Sequence, residues 1–361
     1  MKTLSILHIV LGVSETSMPY NEFALKQAEH HKVSLATFFT SKEVSPSIIL
    51  YEGDNTFLGF YRLIKKIFTN KDFDIVHVHS PHVALMLLIM QPFLSFDIEA
   101  ALYTVHNSFP SYKPRNKLLM LLPFQFYPRV VFCSYASYES FPRIYKKLVG
   151  NRSRVVQNGM NIDRVDQLLQ SIEKREFANT FKIAVVGRLI DIKNPFVALR
   201  AFNQASKRKS ELIFIGEGLL KDNLVQKVDK LGLTGKVTFT GLVSREDVYQ
   251  LLSNIDLLLS TSRGEGLPIA VLEAMACRCP VILSDIAPHR EIAEDADFIT
   301  LINPDNINGF AEAIRRFQTM SYSERSEVGK KCRKLVEDRF DLSIMLKQYE
   351  NIYLELSNLR N

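Results

Sequence analysis

Residues 260–292 read STSRGEGLPIAVLEAMACRCPVILSDIAPHREI, and the order of residue types along this stretch decides the fold. The apolar run Asp256–Ser260 closes as a strand, and a polar loop holding Gly264 and Gly266 follows. Pro268 suits the first turn of a helix, where its missing N–H costs nothing. The helix is expected over Ala270–Arg278, and a buried strand, Val281–Leu283, comes next. Strand, glycine loop, helix and strand in succession are the building unit of a parallel α/β layer.

The same rhythm extends outward in both directions. The other candidate strands of the second half are Lys182–Gly187, Glu211–Gly216, Lys236–Gly241, Pro280–Ser284 and Phe298–Leu301. The first half offers Leu4–Val10, Val33–Phe39, Asp74–His79, Ile98–Val105, Val130–Cys133 and Arg154–Gln157. Each set is about the size of one doubly wound sheet, so the expected fold class is α/β with two Rossmann-like domains. The polar, charged segment Asp163–Thr180 separates them, which sets a first domain at 1–163 and a second at 164–342. Phe310, Ala313, Ile314 and Phe317 mark one late helix; Met345, Tyr349, Ile352 and Leu356 mark a terminal helix at about 343–361. The apolar stripe of this last helix needs a surface, and it is expected to cross back to the first domain.

Composition sets the outer bounds. A chain of 361 residues exceeds what one core usually serves. With 47% hydrophobic and 23% charged residues it is not a largely disordered chain. The net charge of +6 comes without any block of five or six like charges, which excludes a basic tail and a nucleic-acid partner. Cys133, Cys277, Cys279 and Cys332 form neither a disulfide framework nor a zinc pattern, so buried thiols in a reducing cytoplasm are expected. Leu4–Val10 and the Pro92-containing run Val83–Phe96 fall short of the ~20 residues of a membrane span.

Several residues carry chemistry. A helix N-terminus leaves backbone N–H groups unpaired and carries partial positive charge, so the turn Gly266–Ile269 suits a diphosphate. Glu265 in the loop and Glu273 in the helix can both face a ligand lying across that terminus, and carboxylates accept hydrogen bonds from sugar hydroxyls well. The bare spacing of these two glutamates fits a surface salt bridge equally well. Arg188 and Lys193 follow a strand and Gly187, where open α/β sheets bind ligands. Gly216-Glu217-Gly218 lacks the third glycine of a dinucleotide fingerprint and reads as a tight turn before a helix at Leu219–Leu231.

Taken together, the segments EGLPIAVLE (Glu265–Glu273), VVGRLIDIKNP (Val185–Pro195), FIGEG (Phe214–Gly218) and FTGLVSREDVYQLLSNIDLLLSTS (Phe239–Ser262) resemble the family-4 glycosyltransferases of the GT-B fold. The resemblance covers essentially the whole second half in the right order. It implies two domains facing a cleft, a nucleotide-sugar donor, retention of anomeric configuration, and neither metal nor cofactor. It also implies that Arg188 and Lys193 steady the leaving diphosphate, that Glu273 holds the ribose, and that Glu265 sits near the donor sugar. By the same resemblance, the backbone of Gly266, Leu267, Pro268 and Ile269 approaches the diphosphate, and Gly187 and Gly216 line the donor side. Val243 either contacts the base through its backbone or is a core valine. Arg278-Cys279 departs from the glycine common in the family before the PV strand.

The first half is thinner. DIVHVHSPHVAL (Asp74–Leu85) and TVHNSFPSY (Thr104–Tyr112) resemble strand-end segments of the family, with His106 near donor sugar and acceptor and His79 on the acceptor side. The family's Gly-Gly loop after strand one is reduced here to Gly12 within LGVSETSMPYNEF. His77, His79 and His82 lack a fourth partner, so no metal is expected. Asp72-Phe73-Asp74 spells D-x-D but reads as a solvated loop. FLGFYRLIKKIF (Phe57–Phe68) and PRNKLLMLLPFQFYPR (Pro114–Arg129) mix apolar and basic residues, which fits either core-facing helices or a peripheral membrane contact.

The function expected is therefore transfer of a sugar, from a UDP-sugar in preference to a GDP-sugar, to a glycan or lipid-linked acceptor in cell-surface polysaccharide synthesis. The alternatives are a nucleotide-sugar epimerase of the same fold and a non-catalytic carbohydrate-binding protein.

Overall fold

The structure, a computed structural model, describes residues 3–13, 23–40, 44–170, 180–205 and 209–359. It divides into two compact units: Met1–Gly159 with Leu342–Asn361, and Met160–Asp341.

The first unit is built on seven strands: β1 (Ser5–Val10), β2 (Lys32–Thr37), β3 (Ile49–Tyr51), β4 (Ile75–Val78), β5 (Ala101–Val105), β6 (Arg129–Phe132) and β7 (Ser153–Val155). All pair in parallel, in the order β3-β2-β1-β4-β5-β6-β7. The central strands are near-continuous apolar runs because both faces of a parallel sheet are covered; Ile6, Leu7, Ile9, Val76 and Val78 are fully buried. Strand β3 was not expected. It is a three-residue edge strand, too short to show a period, and only its pairing with β2 defines it. The expected strand at Ile98–Val105 starts late, because Ile98–Ala100 tightens into a 3₁₀ turn capped by the Asp97 side chain.

The terminal helix Leu342–Leu359 belongs to this unit. Met345, Tyr349, Ile352, Tyr353 and Leu356 bury against Leu4, Ile6, Phe23, Ile75, Leu102 and Val131.

The second unit contains β8 (Phe181–Val186), β9 (Ser210–Ile215), β10 (Val237–Gly241), β11 (Leu257–Ser260), β12 (Val281–Ser284) and β13 (Thr300–Ile302). They run parallel in the order β10-β9-β8-β11-β12-β13. The chain enters this unit at Met160 and leaves it at Asp341, and these two residues pair in an isolated bridge. The segment expected as a linker begins instead with a helix, Ile162–Gln170, whose Ile162 and Val165 join the core beside Tyr249 and Leu252. The remainder of that segment, residues 171–179, lies outside the described residues. The helix after Gly218 starts at Lys221, two residues later than expected.

Each sheet reverses its direction of growth beside its first strand, between β1 and β4 in one unit and between β8 and β11 in the other. Loops leaving adjacent strands on opposite sides of such a switch point diverge, and the crevice they leave at the carboxyl ends is where open α/β sheets hold ligands.

Candidate active site

At the switch point of the second unit, the loops after β8 and β11 are stapled together. The Thr261 hydroxyl donates to the Asn194 carbonyl at 2.9 Å, and the Arg263 N–H donates to the Ile192 carbonyl at 2.8 Å. This brings Lys193 onto Glu265, with Nζ 2.6 Å from Oε1 and 2.8 Å from Oε2. The Ser262 hydroxyl donates to Oε1 at 2.6 Å. Glu265 is buried, which pushes its carboxyl pKa up; the Lys193 ammonium and the Ser262 hydroxyl outweigh that and hold it below the ordinary value.

Arg188 is exposed and lines the same small hollow as Gly187, Lys193, Ser260, Thr261 and Ser262. The hollow depends on glycine. Gly216 has φ +136°, and a Cβ there would lie 2.3 Å from the Gly187 carbonyl oxygen, so the turns after β8 and β9 pack backbone on backbone. The Gly187 N–H donates to the Ile215 carbonyl and the Leu189 N–H to the Glu217 carbonyl, at 2.9 and 2.8 Å.

The helix Ile269–Ala276 opens on this loop. Pro268 is its N-cap, one position before the first turn where it was expected, and no side chain caps the terminus. Gly266, Leu267 and Pro268 are buried, and Ile269 is half-buried. Glu273 is buried in the next turn, 3.6 Å from Nε of the buried Arg245, and accepts from the Tyr249 hydroxyl at 3.4 Å. Arg164 Nη2 in turn donates to the Tyr249 hydroxyl at 3.0 Å. Val243 is half-buried and packs on the core of this unit.

Arg245, Tyr249 and Arg164 escaped the sequence reading because they come from two other helices: Arg245 and Tyr249 reach Glu273 from Arg245–Ser253, and Arg164 reaches Tyr249 from Ile162–Gln170. Ser262 escaped it too, although the serines flanking Thr261 were a signal beside Glu265. His289, fully buried, bonds Ser260 and Ser284, and burial lowers its pKa to about 4.

In the first unit the candidate residues lie past the strand ends: Gly12, half-buried, after β1, His79 after β4, and His106 after β5. Residues 14–22 of the loop after Gly12 lie outside the described residues. His79 and His106 meet, Nδ1 to Nε2, at 3.1 Å.

The trio of His77, His79 and His82 is not assembled. His82 stands apart and accepts from Arg115 Nη2 at 3.3 Å. His8 takes its place, since β1 lies beside β4 with His8 in register with His77. Ligand atoms of His8, His77 and His79 lie within 4.8 Å of one another. These nitrogens are engaged in hydrogen bonds: His8 Nδ1 meets His79 Nε2 at 2.9 Å, and His77 meets the Tyr353 and Thr104 hydroxyls at 2.8 and 2.7 Å. Burial lowers the pKa of His8 and of His106 to about 4 and holds those of His77 and His79 well below the usual value. The D-x-D segment is partly structural: Phe73 is buried, and the Asp74 carboxylate accepts from the Ser5 N–H at 2.7 Å.

Two doubly wound parallel sheets, each with candidate residues at its switch point, are the parts of a GT-B glycosyltransferase fold. Residues 167–335 match the family Glycosyl transferases group 1, and residues 22–164 match Glycosyltransferase Family 4. The chain belongs to the group 1, family-4 glycosyltransferases, and it is a glycosyltransferase enzyme.

An uncharacterized glycosyltransferase of Methanocaldococcus jannaschii is 25% identical, over 66% of this chain and 64% of the relative. The chain thus matches just under two thirds of that relative's length. The UDP-Gal:alpha-D-GlcNAc-diphosphoundecaprenol alpha-1,3-galactosyltransferase of Escherichia coli is 23% identical, over 86% of this chain and 81% of its own length. Among solved structures, Anabaena HepE in complex with UDP-glucose superposes with a TM-score of 0.77 at 16% identity, over 97% of this chain and 100% of HepE.

Proposed function

We propose that this enzyme transfers a sugar from a UDP-sugar to a lipid-linked or glycan acceptor of cell-surface polysaccharide synthesis, with retention of anomeric configuration and without a metal. One observation carries the reading. Two cations, Arg188 and Lys193, line one hollow at the carboxyl end of β8, where a doubly wound sheet holds its ligand.

The bond from the anomeric carbon to the diphosphate breaks as the acceptor oxygen bonds to that carbon on the same face. The hydroxyl proton passes to the departing phosphate. Arg188, Lys193 and the uncapped terminus of helix Ile269–Ala276 take up the negative charge that develops on the diphosphate. Glu265 accepts from a hydroxyl of the donor sugar while holding Lys193 in place. Glu273 accepts from the ribose hydroxyls, with Arg245 3.6 Å from its carboxylate. The acceptor is taken by the first unit, at Gly12 and His106; His79, expected on the acceptor side, lies buried behind His106 with both ring nitrogens hydrogen-bonded and supports it. The uracil base is favoured by the E. coli relative, named for UDP-galactose, and by the UDP-glucose held by HepE.

A lipid-linked acceptor calls for a membrane surface. Among the described residues no helix is long and apolar enough to cross a membrane. The helix Phe57–Asn70 turns Phe60, Ile64, Ile67 and Phe68 into the core. It leaves Phe57 and Leu58 exposed at its first turn; the second apolar-basic segment splits at Met120 into helices Pro114–Leu119 and Leu121–Phe126 and leaves Leu118, Leu122 and Phe126 exposed. Exposed Ile144 with Arg143 and Lys147 lies on the neighbouring helix Arg143–Val149. Exposed apolar side chains beside the exposed cations Arg143 and Lys147 favour peripheral contact with an anionic bilayer at the cytoplasmic face.

The test is to supply UDP-, GDP- and ADP-sugars with an undecaprenyl-diphosphate-linked sugar, with and without EDTA. Acceptor-dependent UDP release with an EDTA-insensitive rate and an α-linked product from an α-linked donor is expected. Interconversion of the sugar without net UDP release would make the protein an epimerase, and no turnover with any donor would leave a binding protein.

A further inference from the structure

The first unit contains a buried chain of side-chain hydrogen bonds that ends at His106. Its links are His106 Nε2 to His79 Nδ1 at 3.1 Å, His79 Nε2 to His8 Nδ1 at 2.9 Å, and His8 Nε2 to Gln27 Oε1 at 2.8 Å. The Gln27 amide nitrogen continues it, donating to the Tyr353 hydroxyl at 3.1 Å. We propose that the Gln27 amide, acting through His8 and His79, fixes His106 as the Nε2–H tautomer and leaves its Nδ1 as a bare hydrogen-bond acceptor.

The reasoning is a count of protons. A neutral imidazole has one N–H and one lone pair, so a ring that accepts at one nitrogen must donate at the other. Gln27 Oε1 can only accept, so His8 donates from Nε2 and accepts at Nδ1. His79 then donates from Nε2 and accepts at Nδ1, and His106 donates from Nε2. Each assignment is forced by the one before it.

The far side follows in the same sense. The Tyr353 hydroxyl, accepting from Gln27, donates to His77 Nδ1 at 2.8 Å, and His77 Nε2 then donates to the Thr104 hydroxyl at 2.7 Å. Neutrality, which the count requires, follows from burial: the rings of His8, His77 and His79 are almost wholly shut off from water. One amide orientation thus sets the sense of every bond. His106, half-buried at the open end, is the only member at which the sense reaches solvent.

A bare Nδ1 accepts a hydrogen bond from a sugar hydroxyl; an Nδ1–H would repel the same hydroxyl unless it turned round. Gln27, His8 and His79 are therefore positioning residues for His106. This consequence for catalysis rests on the glycosyl-transfer reading of the site, whereas the tautomer itself does not.

The experiment is long-range ¹H–¹⁵N correlation of the full chain labelled with ¹⁵N-histidine, with His106 assigned from the signal lost in His106→Asn. In the wild type, His106 is expected to show an unprotonated Nδ1. Gln27→Glu, whose carboxylate still accepts from His8, should keep that signature. Gln27→Leu, which removes the acceptor, should give His106 mixed tautomers and lower kcat roughly 3–10-fold with the donor KM unchanged.

A protonated Nδ1 in the wild type, meaning that the amide and the whole chain run the other way, overturns the proposal. So does an unaltered His106 signature in Gln27→Leu. Should Gln27→Leu not fold, Gln27→Met, of similar length and with only a weak acceptor, takes its place and is read in the same way. A protein inactive with every donor would sink the functional reading and leave the tautomer measurement standing.

Discussion

The ammonium of Lys193 straddles the carboxylate of Glu265, 2.6 Å from one oxygen and 2.8 Å from the other, across 72 residues of sequence. The carboxylate is buried and the lysine keeps about a quarter of its surface, with side-chain exposures of 9% and 23%. One side of the ammonium neutralises Glu265, and the other is left for a ligand in the hollow. A buried charge held this way is costly to orphan.

Lys193→Met is expected to lower kcat/KM by about 1.5–3 kcal/mol, the range for a hydrogen bond to a charged group. It should also lower the melting temperature, because Glu265 keeps only Ser262 among these two partners. Adding Glu265→Gln to Lys193→Met should restore part of the stability and none of the activity. Steady-state kinetics and thermal melts of the two variants check this; an unchanged turnover would remove Lys193 from the mechanism.

Gly216→Ala combines two costs, a φ of +136° and a Cβ 2.3 Å from the Gly187 carbonyl oxygen. Gly235 also has positive φ, at +83°, but open space around its Cβ position. Gly235→Ala should therefore cost about 1–2 kcal/mol, the strain of the left-handed region alone. Gly216→Ala should cost clearly more and weaken donor binding, since the turn carrying Arg188 has to move. Equal destabilisation in denaturant titrations would show that the two turns are not packed as described.

The histidine array makes the first unit acid-sensitive. An unfolded chain takes up protons at its histidines near pH 6.5, whereas His8 and His106 in the folded unit resist until about pH 4. Between those values the unfolded state binds more protons, so stability is greatest above pH 6.5 and falls as the pH drops toward 4. Hydrogen exchange at β1 and β4 amides from pH 7.5 to 5, corrected for the intrinsic rate, should show falling protection. Constant protection free energy across that window would contradict a neutral array.

Leu122→Asp with Phe126→Asp should abolish co-sedimentation with vesicles containing anionic lipid while leaving transfer to a water-soluble acceptor analogue intact. Both side chains are at least half exposed, at 50% and 58%, so folding should not suffer. Persistent vesicle binding by the double variant would move any membrane contact elsewhere.

Most of the fold was legible because both sheets are parallel and buried on two faces, so each central strand is a compact apolar run with a turn at its end. The edge strand Ile49–Tyr51 and the helix Ile162–Gln170 were not. The first is too short to carry a period; the second was passed over for its charged residues, although Ile162, Val165, Leu168 and Leu169 recur at helical spacing and pack on the core. At the candidate site, the loop residues Arg188, Lys193 and Glu265 stood out through their glycines. Ser262, Arg245 and Tyr249 did not, since nothing local marks a side chain whose partner comes from another element.

By itself, the chain's order of apolar runs, glycines and caps determined two Rossmann-like sheets, their succession and the loops that carry charge. Only the tertiary structure decided which charges meet. Strand order puts β8 beside β11 and β1 beside β4, and that adjacency, absent from any local window, pairs Lys193 with Glu265 and threads His8 between Gln27 and His79. Periodicity is a local property of a chain, whereas hydrogen bonds and ion pairs form between neighbours in space.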